Sequence, residues 1–306
     1  MKIINSINEF NSESSTAITI GKFDGLHIGH QLLVSDIVSK EDEGLASLVF
    51  TFTNSPKQYI HHTPDQMILS KEERVEVVKN LLVDFFVEVP FDDALMKLSP
   101  DDFLSLLIND FNMKHICVGE DFRFGYKGAG NVEYLKEKSK ELGFSLRVVK
   151  KIDYKGETVS STYVRDLIIK GDIGVAGELL NRDYRISGEV IHGKAIGRTL
   201  GIPTINIEPT PDKLLPKFGV YYSTVVMDGV NYPSITNIGM KPTVANTTKP
   251  IVESHLFDVN GDFYGKQATV IFHDKLRDEM KFKDLEELQN RMAKDVQTGK
   301  FWFMER

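Results

Sequence analysis

A single cysteine, Cys117, in 306 residues leaves no partner for an internal disulfide and no cysteine cluster that could hold zinc. Long apolar runs are missing too. The stretch 45–52 is broken within about eight residues, whereas a membrane-spanning helix needs about 20. The start, Met1-Lys2-Ile3-Ile4-Asn5, lacks the apolar region of a secretory signal. The expected compartment is therefore the cytoplasm, with no membrane partner. A basic excess is absent as well. Lys and Arg number 37 against 44 Asp and Glu, a net charge of −7. Through Arg185 there are 22 basic and 29 acidic residues, and 15 of each follow from Ile186 onward. Neither part has the strongly basic face of a nucleic-acid binder. A negative protein can still hold nucleotides where local amides, cations or Mg²⁺ meet the phosphates.

What is present is enough apolar material for real cores, 41% of residues, in a length that suits two domains. The first part alternates strand-like and helix-like stretches. Strands are expected at 16–20, 46–52, 85–89, 115–118 and 145–149, and helices at 30–40, 70–82, 100–111 and 132–142. Ser70 with Glu73 three residues on has capping-box spacing. This alternation predicts a parallel sheet with helices on both faces. Short helical segments follow at 161–170 and 175–180. After Asn181-Arg182-Asp183 the texture changes to short strands at 184–191, 219–226, 234–238, 251–257 and 268–272. Gly, Pro, Asn and Asp punctuate them, the mark of a small antiparallel barrel. An amphipathic helix at 285–294 closes the chain. Two domains are predicted, 1–183 and 184–306.

The first chemical signal is Gly21-Lys22-Phe23-Asp24-Gly25-Leu26-His27-Ile28-Gly29-His30. It follows a buried strand and opens a helix, where free amides and the helix dipole favour a phosphate. Gly21, Gly25 and Gly29 let the backbone come close, and Phe23 and Asp24 belong to the same candidate phosphate site. His27 and His30, three apart on one turn, can point at one anion. Ser160-Ser161-Thr162-Tyr163-Val164-Arg165 supplies hydroxyls and one arginine at a later helix start. Alone it would be an N-cap; with the first string, Ser161, Thr162 and Arg165 read as a second phosphate clamp. Together these strings resemble the HxGH nucleotidylyltransferase superfamily, in which the histidines meet ATP phosphates. Gly119-Glu120-Asp121-Phe122-Arg123-Phe124-Gly125 resembles the GxDFxFG segment of its bacterial FAD synthetase branch. The resemblance implies flavin contacts at Asp121, Phe122 and Phe124. Asn54, in Thr51-Phe52-Thr53-Asn54-Ser55-Pro56, is a further flavin candidate. Ser55 and Lys57 stand where the family has His and Arg.

In the second part, residues 188–206 carry Gly193, Lys194, Gly197, Arg198 and Gly201 and then Pro203-Thr204-Ile205-Asn206. Glycines four apart with two cations make a phosphate-wrapping loop. Thr204 and Asn206 offer hard oxygens to one side of an extended chain, a donor set suited to Mg²⁺ that is otherwise held by phosphates and water. The string resembles the flavokinase signature. Asn237-Ile238-Gly239-Met240-Lys241-Pro242-Thr243 resembles its NIGxRPT, with Lys241 in place of Arg. Glu253-Ser254-His255-Leu256-Phe257-Asp258 matches its ExHxxD strand. The resemblance implies that Glu253 is the base on the riboflavin 5′-hydroxyl and that His255 is a hydrogen-bonding neighbour. Arg277 and Phe282, in Arg277-Asp278-Glu279-Met280-Lys281-Phe282, match a segment near the flavin. Phe218 and Tyr221 could pack on it, although most barrel aromatics are core.

The resemblance covers both parts in order. It implies a bacterial bifunctional riboflavin kinase/FMN adenylyltransferase: a Rossmann-like parallel sheet, then a Greek-key barrel with a C-terminal helix. The barrel would turn riboflavin and ATP into FMN, and the first domain would join FMN and ATP into FAD and pyrophosphate. The implied partners are small molecules with Mg²⁺, and the expected state is a monomer or weak homo-oligomer. Two rivals are an FAD synthetase with a kinase-inactive barrel and a non-catalytic nucleotide- or flavin-binding regulator.

Overall fold

The computed structural model describes all residues except 55–58, 60–65, 194–196, 198–199, 243–247 and 260, and describes 241, 242, 248 and 249 by backbone only. The chain divides into two compact units, Met1–Ser161 and Thr162–Arg306.

In the first unit six strands form one sheet: β1 (Lys2–Ile4), β2 (Thr16–Ile20), β3 (Ala46–Phe52), β4 (Phe85–Val89), β5 (Met113–Gly119) and β6 (Ser145–Val149). Their spatial order is β1-β4-β3-β2-β5-β6, and every neighbouring pair is parallel. The expected parallel sheet is therefore present, with β1 added at an edge. The order reverses between β2 and β5, and the loops that leave such a switch point form a crevice at the strands' carboxyl ends. Both the His27-His30 loop and the Asp121-Phe124 loop leave from these two strands.

Alternate strand side chains feed two cores. Ile18, Leu48, Phe50, Val87 and Ile116 pack on one side with Phe103, Leu104 and Leu107 of α4 (Pro100–Asn109). Ala17, Val49, Phe86 and Cys117 face the other side, with α1 (Ile28–Val38) and α2 (Lys71–Asn80). Cys117 is thus core, and burial pushes its thiol up. The capping box at Ser70 and Glu73 is formed in full. A short α3 (Asp93–Lys97) precedes α4. α5 (Val132–Leu142) ends at Gly143, whose φ of 76° is left-handed, a conformation that favours glycine. α1, which starts at the candidate site, is pinned further along: Asp36 Oδ2 lies 2.8 Å from buried His115 Nε2 on β5. A small ribbon of β7 (Asp153–Tyr154) and β8 (Glu157–Thr158) follows the sheet.

The second unit opens with α6 (Ser161–Lys170, shared with the end of the first) and α7 (Ile173–Leu180). Then come β9 (Tyr184–Ile191), β10 (Ile205–Pro209), β11 (Gly219–Met227), β12 (Val230–Pro242), β13 (Thr248–Leu256) and β14 (Gln267–Asp278). They close into an antiparallel barrel in the order β10-β13-β12-β11-β14-β9. β9 has its expected bounds and β10 is a strand the sequence pattern did not announce, while β12 and β14 outrun their sequence signals at both ends because ladder pairing carries hairpins past the last apolar residue. α8 (Leu285–Met304) runs ten residues past the expected end and starts at Asp284, whose side chain accepts from Glu287 N–H. That cap offsets an unsatisfied helix donor.

Candidate active sites

In the first unit, β2 ends beneath Gly21, whose amide donates to Phe50 O across 3.1 Å. Three residues of the next turn take left-handed backbone: Phe23 (φ 49°), Gly25 (φ 83°) and Leu26 (φ 45°). Phe23 and Leu26 are fully buried non-glycines, so packing holds a conformation that costs on the order of 1–2 kcal/mol per residue. The Phe23 ring fills the space over Gly21, 3.3 Å from where a Cβ would stand. It also meets His30 edge-on at 5.2 Å. Asp24 is buried and turns its carboxylate to Ile68 N–H, 2.9 Å away, while Ser161 Oγ donates to the Asp24 carbonyl at 2.7 Å. Ser161 is thereby fastened to the first motif.

His27 is the N-cap of α1, its Nδ1 accepting from His30 N–H at 3.4 Å. In the neutral ring this leaves the proton on Nε2. The two imidazoles stack, centroids 3.8 Å apart and 19° from parallel. Gly29 leaves room for this fold-back, since a Cβ there would stand 3.2 Å from the His27 ring and press on it. Burial, and then the neighbouring His27, hold His30 well below the usual histidine range. Its Nδ1 is buried and has no hydrogen-bond partner among the described residues. An unsatisfied buried polar atom calls for a partner, and a helix N-terminus favours an anion.

The other candidates of this unit are spread more widely. Asn54 is engaged with backbone: its Nδ2 donates to Phe91 O at 3.0 Å and its Oδ1 accepts from Phe91 N–H at 2.8 Å. Asp121 is exposed and paired with Lys151 at 2.9 Å. Phe122, half-buried, stacks at 5.6 Å on Phe124, and Phe124 is core, packed on Phe103 and Tyr134. Ser55 and Lys57 lie outside the described residues. Thr162, exposed, and Arg165, half-buried, belong to the second unit on α6.

In the barrel unit, β10 and β13 place Asn206 opposite Glu253, and β12 places Asn237 opposite the same residue. Thr204 Oγ1 donates to Glu253 Oε1 at 2.7 Å. The glycines of the preceding loop fit this pair. A Cβ on Gly193 would stand 2.1 Å from Asn206 Nδ2, and one on Gly197 2.4 Å from Ile202 O and 3.2 Å from Thr204 Oγ1. Gly201 has left-handed backbone with open space around it. Lys194 and Arg198 lie outside the described residues, as does Thr243, and the Lys241 side chain is not described.

Two cavities meet at Thr204. One, about 280 Å³, is lined by Glu253, His255, Arg277 and Phe282 together with Val220, Ile235, Asn237, Glu279, Met280, Leu288, Met292 and Asp295. The other, about 350 Å³, is lined by Pro203, Thr204, Leu256, Phe263 and Tyr264 among others. His255 Nδ1 lies 2.7 Å from Pro203 O. A carbonyl only accepts, so the ring donates from Nδ1. Burial lowers the His255 pKa and favours the neutral ring. Tyr221 is core rather than cavity wall. Sequence reading had not selected Leu288, Met292 and Asp295. Their spacing of four and three residues puts them on one face of α8, and that periodicity is the signal that could have found them.

The comparisons with known proteins agree with this geometry. Residues 9–163 match the family model for FAD synthetase, and residues 180–303 that for riboflavin kinase. A Pseudomonas fluorescens protein described as bifunctional riboflavin kinase/FMN adenylyltransferase is 33% identical over 97% of this chain and 96% of its own length. The Escherichia coli K12 protein of the same description is 33% identical over 99% of this chain and 98% of its own. A Streptococcus pneumoniae crystal structure titled as a macrolide-efflux protein superposes with a TM-score of 0.89, 28% identity and 98% coverage of both chains. Among the described residues of this chain, no helix is long and apolar enough to cross a membrane.

Proposed function

The chain belongs to the bifunctional riboflavin kinase/FMN adenylyltransferase family, and we propose that its two reactions run at the two sites described above. It is a kinase and a nucleotidyltransferase that converts riboflavin to FMN and FMN to FAD, with ATP as the second substrate in each step.

For the kinase, Glu253 orients and deprotonates the riboflavin 5′-hydroxyl. The hydroxyl oxygen then bonds to the γ-phosphorus of ATP as the bond to the ADP oxygen breaks, and Glu253 keeps the proton. The observation that carries this reading is Thr204. It bonds to Glu253 and lines both cavities, so the acceptor in one cavity and the donor in the other meet at this residue. The cavity with Phe282, Met280 and Met292 suits a broad apolar ring. The Phe263-Tyr264 cavity suits a nucleobase. Gly193 and Gly197, pressed against Asn206 and Thr204, let the loop cover the phosphates, with Lys194, Arg198 and Gly201 assigned to the same loop by sequence.

Mg²⁺ fits the donors present. Thr204 gives its proton to Glu253, which turns its oxygen lone pairs elsewhere, and Asn206 adds an amide oxygen. Once bound, Mg²⁺ neutralises phosphate charge during transfer.

For adenylyl transfer, the FMN phosphate is the nucleophile. It is anionic at neutral pH and needs no strong base. Its oxygen bonds to the α-phosphorus of ATP, and the bond to pyrophosphate breaks. His27 and His30 meet the phosphates, supported by the unpartnered His30 Nδ1. Gly21, Gly25 and Gly29 allow close approach, Phe23 and Asp24 shape the loop, and Ser161 is tied to it. Thr162 and Arg165 are assigned to the clamp by sequence. Phe122, Phe124, Asp121 and Asn54 remain flavin candidates of this unit, and Arg277 and Phe282 of the other. We assign residues 1–183 to adenylyl transfer and 184–306 to phosphorylation. We also propose a cytoplasmic enzyme, monomeric or weakly self-associating, that takes no nucleic acid.

The test is to incubate the purified chain with riboflavin, ATP and Mg²⁺ and to chromatograph the products. FMN together with FAD is the expected result. FAD formed only from supplied FMN would remove the kinase assignment, and neither product would remove both.

A further inference from the structure

The β10·β13 ladder ends at Ile205 opposite Ser254. Continued by one step it would set Thr204 against His255, but Pro203 has no N–H with which to extend the pairing. Side chains take over at that point. Glu253 and His255 are two apart on β13 and face the same side, and each bonds to the incoming segment. Glu253 Oε1 accepts from Thr204 Oγ1 at 2.7 Å, and His255 Nδ1 donates to Pro203 O at 2.7 Å. The Thr204 hydroxyl can turn about χ1, but its Cα position is set by the peptide that begins at the Pro203 carbonyl. The imidazole therefore fixes the reach of the threonine to the carboxylate.

We propose that His255 is a positioning residue for phosphoryl transfer, which acts only through the placing of Thr204 against Glu253. This rests on the kinase assignment above. His255 needs no proton exchange with substrate; its contribution is geometric, and a displacement of about 1 Å at a reacting group can cost about a hundredfold in rate.

The test is a double-mutant cycle in the full chain, read as the rate of FMN formation, with riboflavin binding followed by flavin fluorescence. His255→Leu is expected to lower kcat at least about tenfold, a larger factor than any change in riboflavin affinity, to which the ring contributes only as one of many residues lining the cavity. Asn places an N–H at the position of Nδ1, and Gln places it at that of Nε2. His255→Asn should therefore recover most of the rate and His255→Gln should not, a contrast that holds even if the leucine variant fails to fold. In a Thr204→Val background, His255→Leu should cost less than about twofold more, because residues that act through one contact are non-additive. Losses that multiply, equal activity of the Asn and Gln variants, or full activity of His255→Leu would each overturn the proposal. Full activity of Thr204→Val would instead remove the kinase assignment on which it stands.

Discussion

Asp295 Oδ2 accepts from both Nε and Nη2 of Arg277, at 2.9 and 2.6 Å. Its other oxygen lies 3.0 Å from Arg291 Nε. Asp295 is almost fully buried and joins α8 to the end of β14, at the wall of the cavity assigned to riboflavin. Removing one partner of a buried pair leaves the other charge uncompensated and costs about 3–5 kcal/mol. Asp295→Ala should therefore lower the urea midpoint of the barrel unit sharply and weaken riboflavin binding, seen as lost fluorescence quenching. Asp295→Asn, which keeps one acceptor, should do less. A midpoint unchanged in the alanine variant would show that the pair does not hold α8.

The two activities should separate by mutation. His27→Ala removes the N-cap of α1 and one of the stacked rings, both in the first unit, while the Thr204-Glu253 pair lies in the second. FAD formation should fall below detection and FMN formation should stay within about twofold. Glu253→Gln should do the reverse, losing orders of magnitude in FMN formation while still adenylylating supplied FMN. Chromatography of both reactions decides. Joint loss in a folded variant would mean that the sites are not divided as assigned.

Gly193 and Gly201 make a sharper pair, because contact constrains the first and backbone conformation alone the second. A Cβ on Gly193 would overlap the Asn206 amide, at 2.1 Å, while Gly201 at φ 76° has nothing within 4 Å. Gly193→Ala should displace Asn206 and lower kinase turnover about a hundredfold. Gly201→Asn should be tolerated, since asparagine accepts left-handed backbone. Equal losses in the two variants would show that the loop, rather than the Asn206 contact, is what matters.

Much of this was legible in the sequence where the signal is local. The run 46–52 is apolar apart from Ser47 and Thr51 because its strand is buried on both faces, and it appears with those bounds. Ser70 and Glu73 meet within one helical turn, so spacing alone announced the cap. Glu253 was found by resemblance and Thr204 by its oxygen donor beside Asn206, and their 2.7 Å contact joins residues 49 apart that no periodicity connects. Asn54 shows the limit. Its neighbours are a motif, yet its amide is spent on Phe91, which a strand pairing brings near. Arg277 is similar, bound to Asp295, which lies in the last ten residues of α8, beyond the helix end expected at 294. Phe122 and Phe124 sit in one motif, but only packing divides them into a half-exposed ring and a core ring.

His30 gives a pH dependence with a definite sign. Burial and the adjacent His27 hold its pKa well below 6.5 in the folded chain, while the unfolded chain keeps the ordinary value near 6.5. Below about pH 6.5 the unfolded state therefore binds the extra proton, and stability falls as pH is lowered. The fall, up to about 1.4 kcal/mol per pH unit from this group, ends only where folded His30 is itself protonated. His30→Gln should flatten the decline in melting temperature of the first unit between about pH 7 and about pH 5.5. In the native chain, the His30 Cε1–H resonance should titrate far below its ordinary midpoint and move up when inorganic pyrophosphate is added, because an anion near the ring favours its charged form. A midpoint at the ordinary value, or one that pyrophosphate leaves in place, would show that this imidazole is not the buried anion contact assigned to it.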